Sequence, residues 1–348
     1  MLGRKIKKLK NWLQNRYNLQ LFRLRLVEDR QKTSLYRAVL ISHELSATGA
    51  PLMLLAAAEA ILADGGSVRV LAYMDGPLRE KFEKLGIPVF YHPGFRDNAR
   101  LLNEFGGDCA YAVANTAVAY PAVSLLKGPR VLWWIHEAQV IEKDYIARFR
   151  QKKFRPDLEQ TLRQAGKLAV VSDYAREIVA KYNPKVEVIH PAVADVAKEQ
   201  GLQPKQPAEK IRFAMLGAVC EIKGQDVLLK AVRLLPAAYR AQAEFHIAGR
   251  RDGAFAEVLA AESGDLPEVV WEESRSRDNL WDFYRENDVI MVASRDESFS
   301  LVALEACMAS RPLIISSNAG AKFLVRPSEN GGIFTSGSAA VSYTHLRA

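Results

Sequence analysis

The feature that most constrains the fold is the regular alternation, after residue 35, of short apolar runs with helix-like runs. Short continuous apolar strands separated by helices are typical of βαβ units, whose parallel sheet is buried on both faces. The sequence therefore predicts an α/β fold. In the first block the predicted strands are residues 36–43, 67–74, 88–92, 109–115, 130–136, 167–172 and 186–193, and the predicted helices are residues 50–64, 77–86, 116–128 and 173–182.

A second alternating block follows a change of composition. Residues 194–210 lose the apolar pattern and gather Gln, Lys and Pro, which indicates a linker. We therefore expect two doubly wound parallel-sheet domains, 36–193 and 211–336, which face each other across a cleft where ligands bind at the carboxyl ends of strands. In the second block the predicted strands are residues 211–217, 243–249, 268–272, 288–294 and 311–317, and the predicted helices are residues 224–236, 254–263, 277–287 and 300–310.

The end of the chain breaks this rhythm. Residues 337–348 contain no helix-like run long enough to complete the second domain. We therefore expect an irregular tail and a C-terminal domain that is incomplete.

The positive charge of the chain is concentrated in one segment. Residues 1–37 contain eleven Lys and Arg against Glu28 and Asp29, a net +9, so the remainder of the +8 chain carries 8 − 9 = −1. Because the apolar residues of segment 1–35 fall at roughly helical spacing, we predict a basic amphipathic helix, which can lie on an anionic membrane. The alternative is a solvated leader or one docked on its own domain. Nucleic acid is less favoured, because the rest of the chain adds no basic surplus.

The cysteines and the apolar runs bear on the compartment. Cys109, Cys220 and Cys307 are isolated and show no pairing pattern, which fits a reducing compartment. The sequence has no uninterrupted apolar stretch of about 18 residues and no apolar signal-peptide region at its start. We expect a cytoplasmic location, with peripheral contact on the inner face of the cytoplasmic membrane through residues 1–35.

The stretch ASRDESFSLVALEACMASRPLII (293–315) places two glutamates on either side of a predicted helix start. The helix is expected to begin near Phe299 or Ser300, where a serine can cap it, and its free N–H groups favour a phosphate at Ser298–Leu301. Glu297 and Glu305 can then accept hydrogen bonds from a sugar on one side and a ribose on the other. This arrangement predicts a nucleotide-sugar diphosphate site. In the alternative interpretation, Glu305 is a helix-surface residue and Glu297 an ordinary turn residue.

The stretch GAVCEIKGQDVLLKA (217–231) supplies a matching cation. It is predicted to run from strand through loop to helix, with Lys223 and Gly224 at the mouth of the helix. Lys223 can neutralise a diphosphate as a mobile point charge, and Gly224 permits close approach of the backbone. The alternative is that Lys223 is merely solvated.

Taken in order, these segments resemble the retaining nucleotide-sugar glycosyltransferases of the GT-B fold, family four. ESFSLVALE resembles the E-x7-E signature, and GAVCEIKGQDVLLKA resembles the G-R-L-x-x-x-K-G segment. ELSATGAP (44–51) resembles the glycine-containing loop after the first strand, and WWIHE (133–137) the His-Asp/Glu stretch at a strand end. VVSDYARE and VIHPAV resemble the segments that close the first domain. The resemblance covers about residues 38–334 and implies two Rossmann-like domains.

The resemblance implies a role for each matching position. Gly49 and Ala50 lie near the donor phosphates and sugar, and His136 sits beside the transferred sugar, although a strand-end histidine bonded to a backbone carbonyl is the alternative. For the donor, the implied contacts are Lys223 and Gly224 with the diphosphate, Glu297 with the sugar, the backbone of Ser298, Phe299 and Ser300 with the phosphate, and Glu305 with the ribose.

Some positions depart from the family pattern. Ala218 stands where the family has a phosphate-binding arginine, and Arg250 or Arg251 is a candidate replacement. Ser310 stands where glycine is usual. The segment NAGAKFLV (318–325) follows only loosely the family's Gly-Gly-x-x-Glu loop.

The predicted reaction is a retaining, metal-independent transfer to a cell-envelope glycan or a lipid-linked acceptor. The chain has no Asp-x-Asp sequence for a metal clamp, so Lys223 and helix N-termini are expected to meet the diphosphate charge, with no cofactor. A front-face route is favoured over a glycosidase-type double displacement. The alternative is a non-catalytic GT-B protein that binds a nucleotide or glycan or partners an active enzyme. A dehydrogenase is a distant third, since no GxGxxG follows a strand.

Overall fold

A computed structural model describes residues 2–150, 157–193, 209–276 and 279–339 of the chain, without the side chains of residues 2–9 and 11–13. Of the predicted linker only residues 209–210 fall in this part, and of the predicted tail only residues 337–339. The described chain divides into two compact units. One unit contains residues up to 193 except 172–175, and the other contains residues 172–175 with those after 193.

The first unit is a seven-stranded sheet in the order β3-β2-β1-β4-β5-β6-β7, and every pairing in it is parallel. Buried strand centres such as Val39–Ile41 explain why the apolar runs are continuous, since helices cover both faces. Its strands are β1 (Arg37–Ser42), β2 (Ser67–Ala72), β3 (Val89–Tyr91), β4 (Tyr111–Asn115), β5 (Arg130–Ile135), β6 (Leu168–Val170) and β7 (Glu187–Val188). Its helices are α1 (Leu2–Gln31), α2 (Gly49–Ala63), α3 (Leu78–Lys84), α4 (Ala99–Gly106), α5 (Tyr120–Leu125), α6 (Ile146–Arg150), α7 (Leu158–Gln164) and α8 (Asp173–Val179), whose first residues fall in the second unit.

The second unit repeats this order in six parallel strands, β10-β9-β8-β11-β12-β13. Its core packs Phe245 and Ile247 of the sheet against Leu228 and Val232 of the helix that precedes their strand. The strands are β8 (Ile211–Leu216), β9 (Ala243–Ala248), β10 (Val269–Glu272), β11 (Val289–Val292), β12 (Leu313–Ser316) and β13 (Gly331–Phe334). The helices are α9 (Gln225–Leu234), α10 (Ala237–Arg240), α11 (Ala254–Glu262), α12 (Leu280–Glu286) and α13 (Leu301–Met308).

The predicted fold class is confirmed by these two doubly wound sheets. Each of the twelve predicted strands contains an observed one, although the predicted strand 186–193 contains only the two residues of β7. The predicted helix 116–128 is split into a 3-10 turn, Ala117–Ala119, followed by α5. The helices α4, α6, α7 and α10 and the strand β13 were not predicted.

Candidate active site

The second sheet reverses its strand order between β8 and β11, which are neighbours in it. In doubly wound sheets, ligands bind in the crevice outside the carboxyl ends of the strands at such a switch point. The turns that leave β8 and β11 carry Lys223 and Glu297. Topology alone therefore makes this edge of the second unit a candidate ligand site.

The turn after β8 brings Lys223 to this edge. Residues Glu221–Lys223 form one 3-10 turn, and Gly224 follows with φ +74°, just before α9 begins. A Cβ on Gly224 would lie 2.2 Å from the carbonyl oxygen of Ala293 at the end of β11. Both the positive φ and this close approach require glycine, so Gly224 packs the two turns against each other.

Lys223 and Glu297 meet at this edge as an ion pair between the Lys223 Nζ and the Glu297 Oε2. The Ser294 hydroxyl donates a second hydrogen bond to Glu297 Oε2 at 3.3 Å. Burial alone would lower the pKa of Lys223, but the charge of Glu297 and its hydrogen bond raise the pKa above the ordinary value. Lys223 is therefore a cation at physiological pH, held beside a carboxylate.

The turn after β11 ends at the start of α13, as predicted. Ser300 is the N-cap of this helix, and its hydroxyl accepts a hydrogen bond from the Ala303 N–H at 3.3 Å. Ser300 has φ +96°, a strained conformation for a residue with a side chain. Phe299 is buried, and its carbonyl accepts from the Ala321 N–H at 2.7 Å. The Ser298–Ser300 backbone is thus held by the cap on Ala303 and by the hydrogen bond from Ala321.

Glu305 lies in the second turn of α13 and is only 3% exposed, so it is not the helix-surface residue of the alternative interpretation. The Tyr284 hydroxyl of α12 donates a hydrogen bond to Glu305 Oε2 at 2.9 Å. A buried carboxylate needs such partners, and Tyr284 supplies one of them. No local pattern points to Tyr284 as this partner, because it lies 21 residues before Glu305 in the chain.

A second charge pair, which was not predicted from the sequence, joins the turn after β11 to the elements that follow β8. Arg295 donates to both carboxylate oxygens of Asp226, at 2.8 and 2.7 Å. Its guanidinium also donates to the Glu221 carbonyl oxygen, and its backbone N–H donates to the Ile222 carbonyl oxygen at 2.7 Å. Arg295, from the turn after β11, therefore holds the 3-10 turn that carries Lys223.

Ala218, where the resemblance expects an arginine, lies next to the strand end that carries the two candidate replacements. The Val219 N–H donates to the Arg250 carbonyl oxygen at 2.9 Å, so the Arg250 backbone lies beside this loop. The Arg250 side chain pairs with Asp252 at 2.8 Å and is exposed. Arg251 instead pairs with Glu273 at 3.2 Å and lies over the Trp271 ring.

In the first unit, Gly49 and Ala50 form the first turn of α2 after Thr48, its N-cap. The Asn115 side chain at the end of β4 donates to the Ala50 carbonyl oxygen at 3.0 Å. Next to Asn115, Thr116 has φ +78°, and its Oγ1 lies 3.2 Å from His43 Nδ1. Gly49 and Ala50 therefore lie at the carboxyl edge of β1 and β4, which is the switch point of the first sheet.

His136 directly follows β5 and is half-buried. Burial, with a smaller contribution from the nearby His43, lowers its pKa to about 3. His136 is therefore neutral at physiological pH. A neutral imidazole can donate one hydrogen bond and accept another, which suits a group that orients a sugar hydroxyl.

Glu137 follows His136 after the end of β5 and was given no separate role in the sequence-based prediction. Its Oε2 accepts the backbone N–H groups of Ala117 at 2.8 Å and His136 at 3.1 Å. Burial nevertheless raises the pKa of Glu137 to about 7. Glu137 fixes the turn after β4 to the end of β5, and so fixes the backbone of His136.

The structure collects the predicted residues into two groups, one in each unit. Lys223, Gly224, Glu297 and the Ser298–Ser300 backbone share one edge of the second sheet, with Glu305 inside the adjoining helix. Gly49, Ala50 and His136 share the corresponding edge of the first sheet. Within the described ranges, no group of three or more His, Cys, Asp or Glu side chains is arranged to hold a metal ion.

Two family models match the chain in succession. Residues 35–195 match Glycosyl-transferase family 4, and residues 197–345 match Glycosyl transferases group 1. The two sheets and the solved structures of similar fold define the GT-B architecture. The chain therefore has the GT-B fold, and each of its two halves matches a family model of glycosyltransferases.

Among individual proteins, the chain is similar to enzymes named D-inositol 3-phosphate glycosyltransferase. The enzyme of Mycolicibacterium gilvum is 30% identical over 192 residues, which is 50% of this chain and 42% of that protein. The enzyme of Xylanimonas cellulosilytica is 28% identical over 180 residues, 47% of this chain and 43% of that protein. The matched part thus spans less than half the length of these relatives.

Solved structures match over more of the chain at lower identity. Anabaena Alr3699/HepE, solved in complex with UDP, aligns with a TM-score of 0.72 at 16% identity over 89% of each chain. The same protein with UDP-glucose gives 0.71 at 16% identity, over 90% of this chain and 89% of that chain. The lipopolysaccharide outer core galactosyltransferase WaaB gives 0.67 at 16% identity over 89% of each chain. At these identities the likeness concerns the fold.

Proposed function

We propose that this protein transfers a sugar, with retention of anomeric configuration, from a nucleotide-diphosphate donor to a cell-envelope glycan or lipid-linked acceptor. The observation that carries the proposal is the meeting of Lys223 and Glu297 at the switch point of the second sheet. These side chains come from turns 74 residues apart in sequence, and both belong to segments that resemble donor-binding motifs.

The donor is proposed to bind at this edge by its diphosphate. Lys223 supplies a side chain that is positively charged at physiological pH, and the N-terminus of α13 supplies backbone N–H groups and a favourable dipole. Glu297 would contact the sugar and Glu305 the ribose. HepE, which shares the fold, was solved with UDP and with UDP-glucose, and this supports a nucleotide sugar as the donor class.

Lys223 has two partners in this scheme, one at a time. Without donor its ammonium pairs with the Glu297 carboxylate. A diphosphate, with more negative charge than one carboxylate, would draw the ammonium away. Glu297 would then be released to accept hydrogen bonds from the hydroxyls of the sugar. Donor binding thus replaces the ion pair between Lys223 and Glu297 with a stronger one between Lys223 and the diphosphate. It also frees the Glu297 carboxylate to bind the sugar.

The proposed chemistry needs no protein base. The bond between the anomeric carbon and the leaving phosphate oxygen breaks, and the acceptor oxygen bonds to the same face of that carbon. The acceptor proton passes to the leaving phosphate. Lys223 and the α13 N-terminus stabilise the charge that develops on the diphosphate, without a metal or a cofactor. His136, neutral at physiological pH, would orient the sugar rather than take the proton.

The acceptor is proposed to lie at the inner face of the cytoplasmic membrane. The support is the basic segment of residues 1–35, whose charge suits an anionic surface. No helix among the described residues has the length and apolar content needed to cross a bilayer. The contact is therefore proposed to be peripheral.

Ala218 favours a second candidate function, a GT-B protein that binds a nucleotide or glycan without catalysis. The arginine expected there by resemblance is missing, and the side chain of Arg250 is occupied by Asp252. Such a protein would bind the donor but would not break it. Donor binding is therefore common to both candidates, and turnover separates them.

The proposal is tested by screening UDP-, GDP- and ADP-sugars for thermal stabilisation of the full chain. A ligand at a hundred times its Kd stabilises the folded state by about 2.7 kcal/mol, which is a measurable rise in Tm. The sugar nucleotide that stabilises is then incubated with the protein and lipid-linked acceptor mixtures, and released nucleoside diphosphate is measured. Stabilisation with release supports the enzyme, stabilisation without release supports the binding protein, and no stabilisation by any donor contradicts both.

A further inference from the structure

The helix α1 has two different long faces. It runs for 30 residues, which at 1.5 Å per residue is about 45 Å. On one face Phe22 and Leu26 are buried, 6% and 3% exposed, in a core cluster with Phe90 and Phe105 of the first unit. The second half of α1 is therefore part of the first unit's core, as in the docked alternative of the sequence analysis.

A buried ion pair fixes the same face. Asp29, 3% exposed, accepts hydrogen bonds from Arg69 Nε and Nη2 at 2.9 and 2.8 Å, and Arg69 on β2 has no exposed surface. Removing one partner of a buried pair leaves an uncompensated charge, which is strongly unfavourable. Asp29 and Arg69 therefore keep α1 from rotating or lifting off the unit.

The opposite face presents an unusual apolar stripe. Tyr17, Leu21, Leu24 and Val27 are 58%, 42%, 66% and 55% exposed. Their spacing of four, three and three residues places them along one side of a helix. In the sequence, Ile6, Leu9 and Leu13 continue this spacing toward the start of the helix, although their side chains lie outside the described part. Contiguous exposed apolar side chains of this kind mark an interaction surface.

The charges along α1 indicate the occupant. The first sixteen residues contain six Lys and Arg and no acidic residue. Farther along, the cations are matched by carboxylates of the first unit: Arg23 by Glu104, at 2.5 Å, and Arg30 by Asp108, at 3.1 Å. In the sequence, the positive charge of α1 is therefore concentrated in its amino-terminal half, in line with the apolar stripe. Two copies paired in parallel through this stripe would bring their cationic halves together.

We propose that the stripe of Tyr17, Leu21, Leu24 and Val27 lies in the headgroup region of an anionic bilayer, with α1 parallel to its surface. Because the opposite face is locked into the core, α1 would orient the whole first unit toward the membrane rather than act as a flexible tether. This inference deepens the proposed function, since it rests on an acceptor held at a membrane. Apolar contact and attraction between cations and anionic lipids contribute together.

The test is sedimentation of the full chain with phosphatidylglycerol vesicles and with phosphatidylcholine vesicles. The variant Leu21→Gln with Leu24→Gln removes the centre of the stripe while keeping residues that suit a helix. The matched control is Leu234→Gln with Val258→Gln, two exposed apolar residues of the second unit. We expect the stripe variant to bind phosphatidylglycerol vesicles with an affinity that is lower by roughly tenfold or more. The control should bind like the unchanged protein.

Three outcomes would overturn the proposal. They are equal sedimentation of the stripe variant and the control, no binding of the unchanged chain to phosphatidylglycerol, or a dimer of the unchanged chain that the stripe variant converts to a monomer. Circular dichroism and Tm, expected to be unchanged for exposed positions, show that each variant is folded. Donor-induced thermal stabilisation is measured on the same proteins. If a protein fails to bind vesicles but still binds the donor, the result bears only on the membrane surface. If it binds vesicles but fails to bind the donor, the result bears on the proposed function.

Discussion

Arg295 and Asp226 form a bidentate ion pair that joins the turn after β11 to the helix after β8. Burial alone would raise the pKa of the Asp226 carboxyl, but the hydrogen bonds and charges of Arg295 and Lys230 hold it below its ordinary value. Arg295 also donates to the Glu221 carbonyl oxygen. Neither residue needs to touch a donor to matter, because together they set the position of Lys223 relative to Glu297.

We predict that Arg295→Ala weakens donor binding about tenfold, because a mobile 3-10 turn no longer presents Lys223 in one place. Its stability should fall by about 1–2 kcal/mol, since the pair is partly exposed. Arg233→Ala is the matched control, because Arg233 binds both oxygens of Asp265 away from the site, at 2.6 and 2.7 Å. Calorimetry with the donor is the measurement. Equal donor affinity in Arg295→Ala and Arg233→Ala would show that the pair has no positioning role.

Glu137 should make stability depend on pH. Its pKa is raised from 4.5 to about 7 in the folded state, so its contribution is fully favourable below pH 4.5 and is lost as the pH rises through about 7. Since one pKa unit corresponds to about 1.4 kcal/mol, the loss over this pH range is on the order of 3–4 kcal/mol.

The test is urea unfolding of the unchanged chain and of Glu137→Gln at pH 5 and pH 8. We expect the stability of the unchanged chain to fall more between these pH values than that of Glu137→Gln, whose amide does not titrate. Glu187→Gln, at an exposed position, should follow the unchanged chain. The assignment fails if Glu137→Gln and the unchanged chain lose the same free energy.

Ser310 ends the helix α13 in a left-handed backbone conformation that is unfavourable for a residue with a side chain. It follows α13 with φ +55°, and the next N–H, of Arg311, donates to the Ala306 carbonyl oxygen at 2.8 Å. Glycine is the usual residue at this left-handed position. We predict that Ser310→Gly raises the free energy of unfolding by about 1 kcal/mol, with Ser310→Ala close to neutral. Chemical denaturation checks both, and a loss of stability in Ser310→Gly would contradict the strain argument.

Local chemistry explains what the sequence could predict. Continuous apolar runs gave the strands, and the serine before LVALE gave the start of α13. Two missed helices also carried a readable signal, because Asn98 and Asp157 cap α4 and α7 by accepting the Leu101 and Gln160 N–H groups at 3.1 and 2.9 Å. The strand β13 begins with two glycines, which disfavour strands, and Gly331 is needed because a Cβ would lie 1.9 Å from the Leu313 carbonyl oxygen.

The parts of the site that could not be predicted depend on contacts between distant residues. Arg295 and Asp226 are 69 residues apart, and nothing in either segment indicates the other. The raised pKa of Glu137 depends on burial beneath the turn after β4, which no local pattern reports. The burial of Glu305 against Tyr284 likewise comes from the packing of α13 on α12.

The most direct test of the central claim is the calorimetric Kd for the nucleoside diphosphate, UDP, GDP or ADP, that the donor screen selects. The measurement compares the unchanged chain with Lys223→Ala, Glu305→Gln and the control Lys210→Ala, whose lysine lies at an exposed position of the second unit. A hydrogen bond to a charged group contributes about 1.5–3 kcal/mol, so Lys223→Ala should raise the Kd roughly tenfold or more. Glu305→Gln should raise it as well, and Lys210→Ala should leave it unchanged. An unchanged Kd in both Lys223→Ala and Glu305→Gln would contradict the account.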